Sequence, residues 1–135
     1  MPTLKSGEVG LHYEVHGSGP PILFAHESTG RCDNWRAQVE HFARRHTCIV
    51  YNARGYPPSD APADPSAYSQ SIFVGDMLAV LDGLGIERAH IVGLSMGSMT
   101  SLHFGLRHPS RVHSIVLAGT GPGQSRAAVE AFNTG

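Results

Sequence analysis

In "HIVGLSMGSMTSLHFGLRHP" (residues 90–109) a serine stands between two glycines, Gly93-Leu94-Ser95-Met96-Gly97, with a short apolar run before it and a helix-like segment after it. A serine hydroxyl is a weak nucleophile unless it is held clear of the chain and given a base. A sharp strand-to-helix turn meets the first need. It exposes Oγ, and glycines two residues to either side remove side chains that would collide with the adjoining strand and helix. The helix beginning near Met96 adds N-terminal amides and a dipole that favour developing negative charge. A serine capping any helix after a strand would leave the same five letters, so the pattern counts only in its strand–turn–helix context, which this sequence supplies. Other glycine signatures are absent: there is no G-x-G-x-x-G, and no lysine follows in P-loop position.

The remaining candidate chemistry lies in cysteines and histidines. Cys32 and Cys48 form neither a metal spacing nor a Cys-x-x-Cys pair. Cys48, within "TCIVY", reads as a buried thiol. Cys32 is expected to be structural too, since a nucleophilic role would need a histidine poised beside it. Nine histidines are scattered along the chain, none in the His-Glu-x-x-His order of a zinc-binding helix, so no metal and no cofactor are expected.

The elements that must position Ser95 follow from periodicity. "GLHYEVH" alternates Leu11, Tyr13 and Val15 with His12, Glu14 and His16, a strand with one wet face closed by turn residues Gly17 to Pro20. "PILFAH" (21–26), "TCIVYN" (47–52), "AHIVG" (89–93) and "VHSIVLAG" (112–119) are continuous apolar runs, as expected of parallel strands covered on both faces. Between them, Asp33 or Asn34 is expected to cap a helix with the stripe Trp35, Val39, Phe42 and Ala43. Ser69 is expected to cap another, with the stripe Phe73, Met77, Val80, Leu81 and Leu84 and Gly85 past its end. The proline-rich loop "ARGYPPSDAPADPSA" should be irregular, and Ser125 could cap a short amphipathic tail. Apolar strands alternating with amphipathic helices give an α/β fold, a mostly parallel sheet with helices on both faces, whose ligands bind beyond the carboxyl ends of the strands.

Composition narrows the classes. The chain has 135 residues, 41% hydrophobic and 16% charged, with a formal net charge of -1, as for one soluble globular domain. It carries no basic stripe with interleaved aromatics and no apolar run of about 18 residues, so neither nucleic acid nor a membrane is the expected partner. The N-terminus "MPTLKSGEVG" lacks a signal-peptide core, and the expected compartment is the cytoplasm.

Taken in order, four segments resemble the α/β-hydrolase superfamily. "GLSMGS" resembles its nucleophile elbow, with Ser95 as nucleophile. "ILFAHESTG" is similar to the third strand and oxyanion loop, "YNARGYPPSD" to the segment after the fourth strand, and "HPSRVHSIVLAG" to the sixth strand and its lead-in. The resemblance implies that residues 1–123 are the N-terminal portion of the hydrolase core and that 124–135 begin a lid. It implies an oxyanion hole formed by the backbone N–H groups of Ser28 and Met96. Glu27 stands where the family usually has glycine after His26. Its carboxylate is expected to turn toward solvent or an arginine such as Arg54, the alternative being a part in the pocket beside His26 or in handling a proton. Asn52, Tyr56, Pro57 and Pro58 also depart from the family pattern and leave substrate preference open.

The family's triad order is serine, then acid, then histidine. After Ser95 there is no aspartate, only Glu130 and the histidines His103, His108 and His113, none placed to reach Oγ. No base or acid is therefore assigned. The resemblance implies an incomplete serine hydrolase, acting on a carboxylic ester, thioester or lactone through an acyl-Ser95 intermediate, with a small ester-like molecule as partner. The alternatives are a non-catalytic binding or assembly module, or a lyase or perhydrolase on the same frame. A sheet stopped at residues 112–118 should expose an uncharged strand edge, favouring self-association or pairing with a C-terminal segment.

Overall fold

The structure, a computed structural model, describes residues 2–119. Its strands are β1 (Thr3–Ser6), β2 (Val9–His16), β3 (Pro21–Ala25), β4 (Thr47–Tyr51), β5 (Ala89–Leu94) and β6 (Val112–Ala118). Its helices are α1 (Arg36–Phe42), α2 (Gln70–Gly83) and α3 (Met96–Arg107). The strands form one sheet in the order β1-β2-β4-β3-β5-β6. The four apolar runs are the parallel neighbours expected: β3 pairs with β4 and with β5, and β5 with β6. β2 joins antiparallel beside β4, and β1, which no sequence period announces, closes a hairpin onto β2.

Alternation within the runs explains why both faces are dry. Leu23, Ala25, Ile49, Tyr51 and Ile91 point to one side, where Met77, Val80 and Leu81 of α2 and Phe104 of α3 cover them. Ile22, Phe24, Cys48 and Val50 point to the other, under Cys32 and Trp35, with the Phe24 and Trp35 rings 5.1 Å apart. Each fully buried branched side chain contributes about 1.5–3 kcal/mol, so this two-sided packing makes the centre of the sheet the rigid part of the scaffold. No described helix is long and apolar enough to cross a membrane.

Four local expectations are corrected. The helix at 36 has no side-chain cap and is preceded by a 3₁₀ turn, Cys32–Trp35. Both candidate caps are otherwise engaged, Asn34 with Glu27 and Asp33 with Arg31 at 3.7 Å. Phe42, assigned to the buried stripe, is exposed. In α2 the cap is as expected, with Ser69 Oγ accepting from the Ile72 N–H at 3.1 Å. Its buried face, however, takes in Val74 and Asp76, while Phe73 is only half-buried. The proline-rich loop also holds a 3₁₀ turn, Pro65–Ala67, capped by the Asp64 side chain. The tail from Ser125 and the assignment of 124–135 to a lid lie outside the described residues.

Candidate active site

β5 delivers the chain to the carboxyl end of the sheet at Leu94, and α3 starts at Met96, leaving Ser95 as the single residue of the turn. Ser95 has φ 52 and ψ −111, the one non-glycine residue with positive φ among those described. Such a conformation costs of order 1–3 kcal/mol and persists only where its surroundings over-determine it. The surroundings here do so. The Ser95 N–H donates to Ala118 O of β6 at 2.8 Å, and its carbonyl accepts from the N–H groups of Ser98 and Met99 and from Ser98 Oγ.

The flanking glycines are required by contact. A Cβ on Gly93 would lie 2.5 Å from Gly97 O and 2.6 Å from Ser101 Oγ. A Cβ on Gly97 would collide with Ala25 O and lie 2.7 Å from His26 O. The first turn of α3 therefore rests directly on the end of β3. Small residues continue this approach: Ser98 and Ser101 are fully buried, and their hydroxyls donate to Ser95 O and Gly97 O, so burial leaves no polar group unpaired. Ser95 itself is exposed, and its Oγ has no hydrogen-bond partner among the described residues.

Beside this turn, His26 is buried and both its nitrogens are engaged. Nε2 accepts the Ala53 N–H at 3.0 Å, so the proton is on Nδ1, which donates to Glu27 O at 2.7 Å. Burial holds the imidazole below its ordinary pKa, reinforcing the neutral form. His26 is thus a strut between the loops after β3 and β4, not a free base. Glu27 O also accepts the Gly30 N–H, which turns the carbonyl of that peptide toward its own loop. In a trans peptide the Ser28 N–H points the opposite way, and it donates to no described residue. The Met96 N–H lies in the first turn of α3, where no intrahelical carbonyl precedes it. Tyr56 ties the two sides together, its ring 4.8 Å from that of His26 and its hydroxyl 3.5 Å from Met96 Sδ.

Glu27 and Arg54 do not pair with one another. Glu27 turns away from Arg54: its Oε1 accepts from Asn34 Nδ2 at 2.5 Å and lies against Gly30 Cα, while Oε2 is buried without a partner. Arg54 is buried against α2 in a bidentate pair, Nε and Nη2 each 2.6 Å from an Asp76 oxygen, with Nη1 donating to Ala67 O. That pair explains the buried aspartate in α2, and it anchors the loop carrying Ala53. Asn52, one of the departures from the family pattern, joins the same framework. Its Oδ1 accepts the Cys32 N–H at 2.9 Å, and its Nδ2 donates to Pro57 O at 3.0 Å. A polar residue directly after an apolar strand was the available signal.

No histidine of the described residues stands at Ser95 Oγ. His113 packs on His90, ring centroids 5.2 Å apart, at the opposite end of the strands. His90 is five residues down β5 from Ser95, roughly 17 Å at about 3.3 Å per residue. His108 closes α3 against Phe104. A histidine does stand near Cys32, namely His12. Burial and the nearby Glu14 and Asp33 carboxylates push that thiol up to about 12, which keeps it protonated and unreactive.

Comparison with known proteins agrees with this architecture. Residues 20–132 match the alpha/beta hydrolase fold family. The chain is 35% identical over 117 residues to the putative carbamate hydrolase RutD of Azorhizobium caulinodans, covering 87% of this chain and 43% of that one. It is 34% identical over 115 residues to epoxide hydrolase 2 of Siraitia grosvenorii, covering 84% of this chain and 36% of that one. Among solved structures, the enol-lactonase from Burkholderia xenovorans superposes with a TM-score of 0.81 at 30% identity, over 86% of this chain and 45% of that one. The chain thus spans less than half the length of each, and all three are hydrolases.

Proposed function

The chain belongs to the alpha/beta hydrolase fold family, and on that footing we propose that it forms the nucleophile half of a serine hydrolase. Ser95 Oγ attacks the carbonyl carbon of an ester, thioester or lactone. The tetrahedral oxyanion is held by the N–H groups of Ser28 and Met96, each such donor supplying about 3–4 kcal/mol of transition-state stabilisation. Collapse expels the alcohol or thiol and leaves acyl-Ser95. The Oγ proton passes to a base and from it to the leaving group, and water then releases the acid. The observation that carries this reading is the backbone of Ser95, forced to φ 52 at the head of a helix by glycines that accept no side chain.

Serine chemistry also separates this reading from epoxide opening, the activity named for one relative. A serine oxygen that opened an epoxide would form an ether, which water does not cleave under these conditions. A turnover cycle through Ser95 needs an acyl intermediate, hence a carbonyl substrate. His26 is occupied on both nitrogens, and His90 and His113 are at the far end of the sheet, so the base and its acid come from a C-terminal segment of the whole protein. β6 has one neighbour among the described residues, with Val116 exposed on it, and the same segment extends the sheet there.

The test is hydrolysis of p-nitrophenyl acetate by the chain and by Ser95→Ala, each with and without the C-terminal segment. Equal rates without the segment, and a Ser95-dependent rate with it, are expected. A binding module would show no Ser95-dependent rate in either state. A strong Ser95-dependent rate from the chain alone would overturn the assignment of the base, and would redirect attention to His26 and Glu27.

A further inference from the structure

We propose that His12, Glu14 and Cys32 form a binding site for a divalent metal ion of the zinc class, independent of the chemistry at Ser95. The strand period brings His12 and Glu14 to one face of β2. Glu14 lies opposite Val50 in the β2–β4 ladder, so this is the face covered by Cys32 and Trp35. The 3₁₀ turn after β3 then lowers Cys32 onto the pair, and one potential ligand atom from each of the three residues lies within 4.8 Å of the others. A tetrahedral zinc with bonds of about 2.0–2.3 Å holds its ligands about 3.4–3.7 Å apart, so side-chain movements of about 1 Å close the site.

A second observation points to a ligand. His12 is 6% exposed, and although its Nε2 lies 3.3 Å from Glu14 Oε2, its Nδ1 is buried with no partner. Buried polar atoms are almost always satisfied, so this buried imidazole is short of a partner in the same place where a thiol and a carboxylate lie within reach. The positions are also built to be rigid. The His12 N–H donates to Ser59 Oγ, the Cys32 N–H donates to Asn52 Oδ1, and His16 Nε2 holds the other Glu14 oxygen at 3.0 Å. Hydrogen bonds of that kind orient ligating carboxylates.

The donor set fixes the class of ion. A thiolate, an imidazole and one carboxylate suit zinc and exclude magnesium and calcium, which prefer oxygen. Three protein ligands leave one coordination position for water or a small anion. Space for it exists, since cavities of about 330 Å³ and 220 Å³ share Glu14, Cys32 and Asp33 in their walls. β2 is three strand spacings from β5, roughly 14 Å at about 4.8 Å each, so such an ion would not reach Ser95.

Cobalt reports the site directly. The EDTA-washed chain titrated with Co²⁺ should bind one ion with a thiolate-to-cobalt charge-transfer band, displaced by Zn²⁺. The band should vanish in Cys32→Ser and survive in Cys48→Ser, and His12→Gln should weaken Zn²⁺ binding at least about tenfold. Circular dichroism of each variant establishes that the fold is retained. Absence of the band in the folded wild-type chain, or its survival in Cys32→Ser, overturns the assignment. Persistence of the band in Ser95→Ala is expected and keeps this result separate from the hydrolase reading.

Discussion

Ser95 and Cys32 both carry a nucleophilic atom in a loop at the carboxyl-end rim of the same sheet, one after β5 and the other after β3. Ser95 is exposed at the head of a twelve-residue helix, in a backbone state enforced by Gly93, Gly97 and Ala118. Cys32 is buried under Trp35 beside two carboxylates, at the start of a short 3₁₀ turn. The positive end of a helix dipole favours negative charge at the first site, whereas desolvation and nearby carboxylates oppose it at the second. Intrinsically, a thiol is the better nucleophile of the two. The comparison teaches that the scaffold, rather than the element in the side chain, decides which atom is exposed and free to ionise.

The largest effect that would test the contrast is loss of the serine. With the C-terminal segment present, Ser95→Ala should lower kcat for p-nitrophenyl acetate by about 10⁴–10⁶-fold, whereas Cys32→Ser should leave it within about threefold. Equal losses would erase the distinction. Next is the thiol itself. A group pushed from 9.0 up to about 12 is about a thousandfold less ionised at neutral pH. Because the thiolate is the reacting form, iodoacetamide labelling of Cys32 in the EDTA-washed chain should be slow at pH 8 and rise about tenfold per pH unit, levelling off only near pH 12. Rapid labelling at pH 8 in the folded chain would contradict the environment described.

Glycine substitutions sharpen the comparison on the serine side. Gly97→Ala places a Cβ against the carbonyls of Ala25 and His26, backbone groups that cannot rotate aside. It should cost about 2–4 kcal/mol in chemical denaturation and displace the turn. The smallest effect is the control, Gly75→Ala on an exposed face of α2, where a Cβ would meet nothing within 4 Å. Helix propensity alone should make it more stable, by up to about 1 kcal/mol. A loss at Gly75 equal to that at Gly97 would mean that the tight packing of the elbow is not what matters.

What could be read from the sequence follows the same division. The elbow announces itself locally, because strand, serine, glycines and helix are contiguous, and the four inner strands are continuous apolar runs. The hairpin strand β1 is only four residues, too short for a period to register. Side-chain partners distant in sequence were hidden. Arg54 finds Asp76 across 22 positions, Asn34 is drawn from capping to Glu27, and Cys32 meets His12 only because the chain crosses back over β2. Burial of the His12 face had no signal, since His12-x-Glu14-x-His16 reads as the wet side of a strand until the turn at Cys32 covers it.

The central claim is that Ser95 is the acyl-accepting nucleophile, and covalent labelling tests it most directly. With the C-terminal segment supplied, a fluorophosphonate probe should add once per chain, and peptide mass spectrometry should place the adduct on Ser95, with none in Ser95→Ala. An adduct on another residue, or an unlabelled protein that still turns over the ester, would contradict it.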